Sequence, residues 1–444
     1  MNRKVFLWSI VVALGGFLFG FDTAVISGAE RAIQEFWSLN VFEHGLTVSI
    51  ALFGTVAGAL FGGIPSDALG RKKTLFWIAV FYFVSAVGSA LATGWYAFLF
   101  FRFLGGLGVG ASSVTAPLYI TEISPAKSRG RLVALFQFNV VFGILIAFLS
   151  NYLIGGTGPN DWRWMLGIEA FPAIGFLVGV LFVPESPRWL ILKRNWVEEA
   201  KAILQMANPE AEASQTVREI LDSAKADSSK PAEPFFSSRY SRPITLAVLF
   251  AFFNQLSGIN AIIYYAPRIF EMTGLGTSSA LLSSAGVGLV NFLFTLLALN
   301  FIDRFGRRTL MLIGSFGLIV TLGLVSYSFF TQRFEGYTVP IYLFIYIAFF
   351  AFSQGAVIWV FISEIFPNQV RAYGQALGSF THWLLAAIIA FAFPYIAETL
   401  GGGLSFFIFC LMMVLQLIFV WRMMPETMET SLEQIGREVV HEEA

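Results

Sequence analysis

The first half of the chain carries three ionisable side chains inside long apolar runs: Asp22, Arg102 and Glu169. An ionised group at membrane depth is costly, so such groups usually face a cavity and pair with one another. Each lies about five or six residues from the same predicted end of its run, which at ~1.5 Å per residue places all three roughly 8–9 Å below one surface. One interpretation is a structural salt bridge between helices. The other is a proton-binding site at Asp22 whose affinity depends on Arg102.

The second half carries neutral hydrogen-bonding groups instead. Amides present donors and acceptors together, and aromatic rings offer flat apolar faces, a combination that suits a neutral hydroxylated ligand. For any single residue, an interhelical hydrogen bond is the alternative. Ser257 and Gly258 are expected to loosen a helix and free backbone groups that only a cavity tolerates. His382 is a rival proton acceptor, because imidazole titrates near neutral pH. The candidate residues are Asn254, Gln255, Asn260, Tyr264, Asn291, Trp359, His382 and Trp383.

Membrane spans are the elements that must position these groups. The 444 residues are 57% hydrophobic and 13% charged, with a mean hydropathy of +0.72, far from an average soluble domain. A bilayer is crossed by about 20 apolar residues. Twelve runs of that length are present, six per half, so an all-α membrane protein is predicted. They cover roughly 6–28, 46–65, 74–93, 97–121, 131–154, 163–183, 243–268, 278–301, 309–330, 339–363, 372–396 and 401–422.

The basic residues predict the orientation of these spans. Lys and Arg concentrate in the loops on one side, whereas the opposite loops hold mainly Arg31, Arg268 and Arg333. The positive-inside rule then makes both termini cytoplasmic. Short tails and short outer loops favour a bacterial inner membrane. The net charge of zero and the lack of a basic face give no indication of nucleic-acid binding.

Several functional classes lack their sequence signature. No metal-ligand cluster, ATP-binding loop or nucleophile–base arrangement is evident, so no metal, cofactor or enzymatic activity is expected. The single Cys410 lies inside the last predicted span, which excludes an internal disulfide. We expect a monomer whose partners are the lipid bilayer, a proton and a small neutral solute.

Three charged motifs recur with an offset of 236 to 242 positions, each where an apolar run ends. Such a repeat is typical of membrane proteins built from two parallel halves. Positive-inside anchoring explains some of the arginines, but not the carboxylates at fixed spacing. Exposed ion pairs are worth about 0–1 kcal/mol each, so a network of them is able to bias two conformations. The predicted cytoplasmic gate comprises Asp67, Arg71, Glu122, Arg129, Glu185 and Arg188 in the first half and Asp303, Arg307, Glu364, Arg371 and Glu426 in the second.

A charged segment at 188–242 separates the halves and holds 17 of the 56 charged residues. Val217, Ile220, Leu221 and Ala224 follow helical spacing, which predicts a short amphipathic helix. Two interpretations of the segment remain open, a solvated connector and a small cytosolic helical cap. The predicted organisation is a first bundle at 1–187, a linker at 188–242, a second bundle at 243–424 and a cytosolic tail at 425–444.

The motifs together resemble those of the sugar porter family of the major facilitator superfamily. The chain is similar to bacterial proton–sugar symporters and to animal facilitative glucose transporters, and the resemblance runs from about Phe19 to Glu429. Its main carriers are Gly-Phe-Asp22-Thr-Ala-Val-Ile-Ser-Gly, the two Asp-x-x-Gly-Arg loops, Pro-Glu185-Ser-Pro-Arg188, Asn254-Gln255-Leu-Ser-Gly-Ile-Asn260, Tyr264-Tyr265-Ala-Pro, Trp359-Val-Phe-Ile-Ser-Glu364 and Pro-Glu426-Thr.

The resemblance implies two six-helix bundles that alternate between outward- and inward-open states. It implies that Asp22 is the proton-coupling carboxylate, with Arg102 and Glu169 as its partners. It also implies sugar contacts at Gln137, Gln255, Asn260, Asn291 and Trp359. The expected function is proton-coupled uptake of a neutral monosaccharide, a hexose or a pentose. A facilitative sugar uniporter and a sugar-sensing receptor are the alternatives.

Three positions depart from the family pattern. Asn254 and His382 stand where relatives often have glutamine, which leaves the particular sugar open. The segment from Gly355 to Trp359 lacks the prolines that facilitative relatives often carry. We therefore expect the tenth span to be less kinked.

Overall fold

The computed structural model describes residues 3–125, 128–207, 210–228, 234–367 and 370–428. Its regular elements are helices. In the first half these are α1 (Arg3–Phe36), α2 (Val41–Phe61), α3 (Gly63–Leu69), α4 (Arg71–Leu91), α5 (Trp95–Ile123), α6 (Arg129–Ile154), α7 (Asp161–Gly167) and α8 (Ala170–Leu181). Between the halves lie α9 (Pro187–Trp189), α10 (Val197–Ala207) and α11 (Glu210–Ser228). In the second half they are α12 (Ser241–Leu256), α13 (Ile259–Met272), α14 (Thr277–Phe305), α15 (Arg307–Thr331), α16 (Thr338–Phe352), α17 (Gln354–Glu364) and α18 (Arg371–Met423).

Twelve membrane spans follow from these helices. Within the described residues, eleven helical stretches are long and apolar enough to cross a bilayer. The last of them, α18, has 53 residues, or roughly 80 Å at 1.5 Å per residue, more than twice the apolar thickness of a bilayer. It is broken at Gly401, whose φ of 75° and ψ of 164° are not helical. It therefore supplies two spans, and the predicted twelve-span, all-α fold is confirmed.

The exterior is apolar, as a lipid solvent requires. Large side chains on the helix surfaces are strongly exposed, among them Trp77, Phe100, Phe171 and Phe182. Soluble monomers rarely leave large contiguous apolar surfaces uncovered. Together with the spans, this surface identifies an integral membrane protein.

The seventh span is broken at Ser257 and Gly258, as the sequence predicts. Gly258 has a φ of 84° and separates α12 from α13. At the break the Ser257 hydroxyl donates to the Asn254 carbonyl at 2.7 Å, and the Tyr346 hydroxyl donates to the Ser257 carbonyl at 2.9 Å. Side chains thus satisfy backbone oxygens that the interrupted helix leaves free, which the membrane interior demands.

The tenth span has a break, but it lies before the segment Gly355–Trp359, which is helical; the expectation of a smaller kink than in facilitative relatives stays a prediction. Ser353, with φ of −114° and ψ of −89°, ends α16, and α17 begins at the next residue. No proline is needed, because the backbone groups at the break keep partners. The Ser353 amide donates to the carbonyls of Phe349 and Phe350 at 3.2 Å, and its own carbonyl accepts from the Val357 amide at 2.9 Å.

The chain forms two compact units. The first comprises Met1–Thr23, Phe53–Ile144 and Leu166–Ala232, and the second Ala24–Leu52, Leu145–Met165 and Glu233–Ala444. The second unit thus contains the predicted outer ends of α1, α2 and α6 together with all spans of the second half. The division into bundles at residues 187, 242 and 424 stays a prediction.

Helices α9, α10 and α11 of the charged segment share a small apolar core. Trp189, Ile203, Leu204 and Val217 are buried in it, and Ile220 and Leu221 pack against it. This confirms the amphipathic helix predicted around Val217. The Ala224 side chain lies outside the described part of the structure.

Replacing Gly258 by alanine should lower stability. A left-handed φ disfavours any Cβ by about 1–2 kcal/mol, and a Cβ here would lie 2.6 Å from the Phe409 ring. We expect Gly258→Ala to lower the melting temperature of the detergent-purified protein. Gly63→Ala is the control, because its Cβ would meet nothing within 4 Å. Equal melting temperatures for the two variants would contradict the argument.

Candidate functional site

The three ionisable residues of the first half meet in one buried cluster within the first unit. Asp22 comes from α1, Arg102 from α5 and Glu169 from the short break between α7 and α8. Their exposed fractions are only 1–2%. The Arg102 guanidinium forms an ion pair with the Asp22 carboxylate and also donates to the Asp22 carbonyl at 3.3 Å. Glu169 lies in the same buried region, close enough to Asp22 and Arg102 to interact electrostatically with both.

The composition of this cluster calls for a proton. Two carboxylates and one guanidinium carry a net charge of −1 when all three are ionised. Two carboxylates that share a buried site repel one another when both are ionised. One bound proton therefore removes both the net charge and the repulsion. The arrangement is able to bind and release a proton.

A helix break positions Glu169. Helix α7 ends at Gly167 and α8 begins at Ala170, so Glu169 occupies the junction. Its Oε1 is buried and has no hydrogen-bond partner among the described residues, and the same is true of Arg102 Nε. One carboxylate oxygen and one guanidinium nitrogen of the cluster are therefore available for a further hydrogen bond.

Gln255 is the centre of a polar cluster in the second unit. Its amide nitrogen lies 2.9 Å from Asn254 Oδ1 and 3.0 Å from His382 Nδ1. Its amide oxygen accepts from Asn260 Nδ2. Asn254 in turn reaches the Gln354 carbonyl at 3.4 Å. The two sides of the helix break and α18 are thereby connected through one side chain.

Indole rings flank the imidazole of this cluster. The ring centroids of Trp359 and His382 lie 4.9 Å apart, and those of His382 and Trp383 lie 4.8 Å apart in an edge-on arrangement. Trp359 is half-buried, whereas Trp383 is buried. Amide donors and acceptors thus stand beside aromatic faces, which is the chemistry of carbohydrate recognition.

The other sequence-predicted sugar contacts come from α13, α14 and α6. Tyr264 is buried on α13 and Asn291 is buried on α14, both in the second unit. Gln137 lies half-buried on α6 of the first unit. Their roles stay predictions.

The charge motif of the first half ties four helix ends together. Arg71, at the start of α4, binds both carboxylate oxygens of Glu122 at 2.9 and 3.0 Å and Asp67 at 2.9 Å. The Ser186 hydroxyl donates to Glu122 at 2.5 Å. Glu185 Oε1 accepts the backbone amides of Arg71 and Lys72 at 2.9 and 3.0 Å. Arg188, the remaining sequence-predicted member, is exposed.

The second half repeats this network almost atom for atom. Arg307 binds both oxygens of Glu364 at 3.2 and 2.8 Å. The Thr427 hydroxyl donates to Glu364 at 2.6 Å. Glu426 accepts the backbone amides of Arg307 and Arg308 at 2.8 and 3.0 Å. The duplication detected in the sequence is therefore a duplication of hydrogen bonds, each set within one unit.

Some members of the predicted gate take other positions. Arg371 donates to the Phe366 carbonyl at 3.2 Å. The side chains of Arg129 and Asp303 lie outside the described part of the structure.

Burial raises the pKa of the Glu185 carboxyl above its ordinary value, and backbone amides that donate to it act in the opposite direction.

Sequence reasoning missed a second buried charge cluster. Glu30 is 1% exposed and His44 is fully buried. Glu30 forms an ion pair with Arg268 on α13 and lies beside His44. The sequence places Glu30 and Arg268 at span ends because the apolar runs stop there. The one available signal is the helical continuation of α1 to Phe36, eight residues beyond the predicted end of the span.

Twelve spans, an internal repeat and buried polar clusters define a secondary transporter. The family model described as "Sugar (and other) transporter" matches residues 8–439. The D-xylose-proton symporter of Escherichia coli is 35% identical over 98% of this chain and 95% of its own length. The arabinose-proton symporter of Bacillus subtilis is also 35% identical, over 98% and 94%. The chain belongs to the sugar transporter family.

A solved structure extends the comparison to the fold. The inward-open conformation of the xylose transporter XylE from E. coli superposes with a TM-score of 0.86 at 34% identity. The match covers 97% of this chain and 99% of that one. The twelve-helix fold of the major facilitator superfamily therefore applies to this protein.

The backbone contacts of Glu185 generate a stability prediction. Its Oε1 accepts three amides, from Arg71, Lys72 and Ser186. Glu185→Ala leaves these donors without a partner, which should cost about 1–3 kcal/mol and lower the melting temperature. Glu185→Gln keeps an acceptor oxygen and should cost much less.

Glu199→Ala serves as the control for loss of a carboxylate, because Glu199 is exposed on α10. It should melt with the wild type. The argument fails if Glu185→Gln is as unstable as Glu185→Ala, since charge rather than hydrogen bonding would then matter.

Proposed function

We propose that this protein couples proton influx to the uptake of a neutral monosaccharide by alternating access. The carrying observation is the buried cluster of Asp22, Glu169 and Arg102, which reaches electrical neutrality by binding one proton. A purely structural ion pair needs one carboxylate for one guanidinium. The second carboxylate, buried in the same cluster and close enough to interact electrostatically with the first, favours a proton-binding role.

The polar cluster around Gln255 is the proposed sugar site. Asn254, Gln255, Asn260 and His382 supply amide and imidazole groups for hydroxyls, and Trp359 supplies an apolar ring face. The absence of a charged group from this set suits a neutral solute. Relatives named as xylose-proton and arabinose-proton symporters support a pentose or hexose as the substrate. We assign His382 to this site rather than to proton transfer, because it is bonded to Gln255 between two indoles.

The helix-end networks are the proposed cytoplasmic gate elements. Each fixes the spacing of helix ends inside its own half, so each half is able to move as a rigid body during access changes. Both termini are proposed to be cytoplasmic, since the basic residues gather on that side. A monomer in a bacterial inner membrane is the proposed assembly, supported by the bacterial relatives.

The energetics of one proton are sufficient for accumulation. One charge that crosses ~100 mV releases about 2.3 kcal/mol. Since ~1.4 kcal/mol corresponds to a tenfold ratio, one proton per sugar supports roughly fifty-fold accumulation. This magnitude sets the scale of the coupling experiment.

Asp22→Asn should abolish uphill uptake and spare counterflow exchange. The amide cannot take up the coupling proton, but the sugar site in the second unit is untouched. Accumulation of labelled sugar in proteoliposomes with an inward pH gradient should fall from tens-fold to about one. Asp222→Asn, on the exposed face of α11, is the matched control and should accumulate sugar like the wild type.

Two outcomes of the uptake experiment would contradict the coupling. Full accumulation by Asp22→Asn would exclude Asp22 as the proton carrier. Wild-type uptake that is insensitive to the pH gradient and to a protonophore would identify a facilitative uniporter.

Gln255→Leu should lose sugar binding and exchange, whereas Asp22→Asn should lose only uphill uptake. Leucine removes the side chain that joins Asn254, Asn260 and His382, so equilibrium binding of labelled xylose, arabinose or glucose should weaken at least tenfold, and exchange should fall with it. Gln416→Leu is the control, because Gln416 is a buried amide of the same half that bonds Ser315 at 2.7 Å. Unchanged sugar affinity in Gln255→Leu would remove this cluster from the proposed binding site.

A further inference from the structure

Helices α4 and α5 of the first unit carry buried hydroxyls that have no hydrogen-bond partner among the described residues. Ser85 and Ser89 lie on α4, and Ser112 and Thr115 lie on α5. Each of these residues is at most 2% exposed. Burial of a hydroxyl without a partner is unfavourable, and a bridging water supplies the missing hydrogen bonds. These positions therefore indicate where the bundle is able to hold water.

These hydroxyls begin beside the proton-binding cluster. The Ser85 hydroxyl and Asp22 Oδ1 both lie within 4 Å of the position that a Cβ on Gly105 would take. Tyr82, which is 1% exposed, lies about one turn nearer the start of α4. It is close enough to Asp22 and Glu169 to interact electrostatically with both. The Tyr82 hydroxyl is therefore the next polar group on the side of the cluster that faces the predicted cytoplasm.

Gly15 on α1 brings Tyr82 and Ser112 together. Its carbonyl accepts from the Tyr82 hydroxyl at the long distance of 3.5 Å. The Ser112 hydroxyl lies 2.6 Å from the position that a Cβ on Gly15 would take, so any larger residue would displace it. Gly15 precedes Asp22 by seven residues, or roughly 10 Å along α1. The hydroxyls thus lead away from Asp22 toward the predicted cytoplasmic end of the helix.

One face of α5 continues from Ser112 to the helix-end network of this unit. Residues at i, i+3, i+7 and i+10 share a helix face, and here they are Ser112, Thr115, Tyr119 and Glu122. Tyr119 is fully buried and close enough to Glu122 and Glu185 to interact electrostatically with both. Glu122 belongs to the helix-end network. Polar groups therefore extend from the buried cluster to the predicted cytoplasmic end of the bundle.

The second half interrupts this polar face at the matching positions. With the offsets of the repeat, 236 on α4 and 242 on α5, polar residues match the positions of Ser85 and Ser112. Three other positions are apolar and buried in the second half. Tyr82, Thr115 and Tyr119 are matched by Leu318, Val357 and Phe361. The continuous face thus occurs in the half that holds the carboxylate pair.

We propose that these groups form the route by which Asp22 releases its proton to the cytoplasm, with water between the hydroxyls. This hydroxyl file comprises Ser85, Tyr82, Ser112, Thr115 and Tyr119. At each step an oxygen accepts the arriving proton and passes on its own hydrogen, so every group returns to its neutral form. One proton leaves near Glu122 for each proton that Asp22 loses. The route rests on the proposed proton coupling and assigns proton release to the first unit.

Tyr82→Phe tests the hydroxyl file because it removes a single oxygen atom. A route residue sets the rate of proton release and not the number of protons per sugar. The initial rate of uptake driven by a pH gradient should therefore fall in proteoliposomes, while the final accumulation stays the same. A positioned proton-transfer group contributes about 10²–10⁴-fold, and water replaces one hydroxyl in part, so we expect a loss of about tenfold. Counterflow exchange needs no proton release and should keep its rate.

A second variant and a matched control accompany Tyr82→Phe. Thr115→Val introduces the residue of the matching second-half position in a side chain of the same shape, and it should slow uptake in the same way. Uptake by both variants should slow more in D₂O than uptake by the wild type, because proton release then limits the rate. Ser326→Ala is the control, since Ser326 is a buried hydroxyl of the second unit that donates to the Gly403 carbonyl at 2.8 Å. It should keep the wild-type rate and isotope effect.

Two results overturn the hydroxyl file. The first is a wild-type uptake rate and isotope effect in either variant. The second is an exchange rate that falls as much as the uptake rate, since a structural role would lower both. The wild type keeps the two proposals apart. Proton-driven accumulation by the wild type together with either result rejects the route alone, whereas wild-type uptake that ignores the pH gradient rejects the proposed function.

Discussion

The cost of an unpaired charge or backbone group in an apolar interior governs this structure. Hydrocarbon offers no hydrogen bonds, so each buried ionic group must find its partner within the protein. Arg102 accordingly meets Asp22, and Arg307 meets Glu364 in a two-pronged contact. The same constraint applies to the broken helices, where Ser257 and Tyr346 bind the freed carbonyls. Pairing sites are therefore the places where this chain departs from a plain bundle of apolar helices.

This constraint explains why the two halves are alike at their helix ends and different inside their spans. At the helix ends, Arg71 with Glu122 and Arg307 with Glu364 show the same bidentate geometry, because both halves must fix a helix start against its neighbours. Inside the spans the demand differs between the halves. The spans of the first half hold two carboxylates and one guanidinium, which need one proton for electrical neutrality. The spans of the second half hold neutral amides around Gln255. Symmetry is retained where it stabilises each half and absent where the buried groups differ in charge.

The sequence predicts those features that depend on the transfer of side chains out of water or on the spacing of residues along the chain. The spans, the repeat and the meeting of Asp22 with Arg102 belong to this group, because apolar runs fix the helices and buried charges seek partners. The break at Ser353 was not predictable, since it depends on backbone partners supplied by the fold. Glu30 and His44 were missed for a related reason. One face of the outer end of α1, with Glu30 and Ile33, is buried against protein, so the helix continues past the end of the apolar run.

Helix α1 carries two buried carboxylates eight residues apart, Asp22 and Glu30, and each is paired with an arginine of another helix. The cluster around Asp22 also holds Glu169 and needs one proton for electrical neutrality, whereas Glu30 and Arg268 cancel one another. A neutral charge state is the one that burial favours. The excess carboxylate at Asp22, and not burial alone, therefore distinguishes a candidate proton site from an ion pair on the same helix.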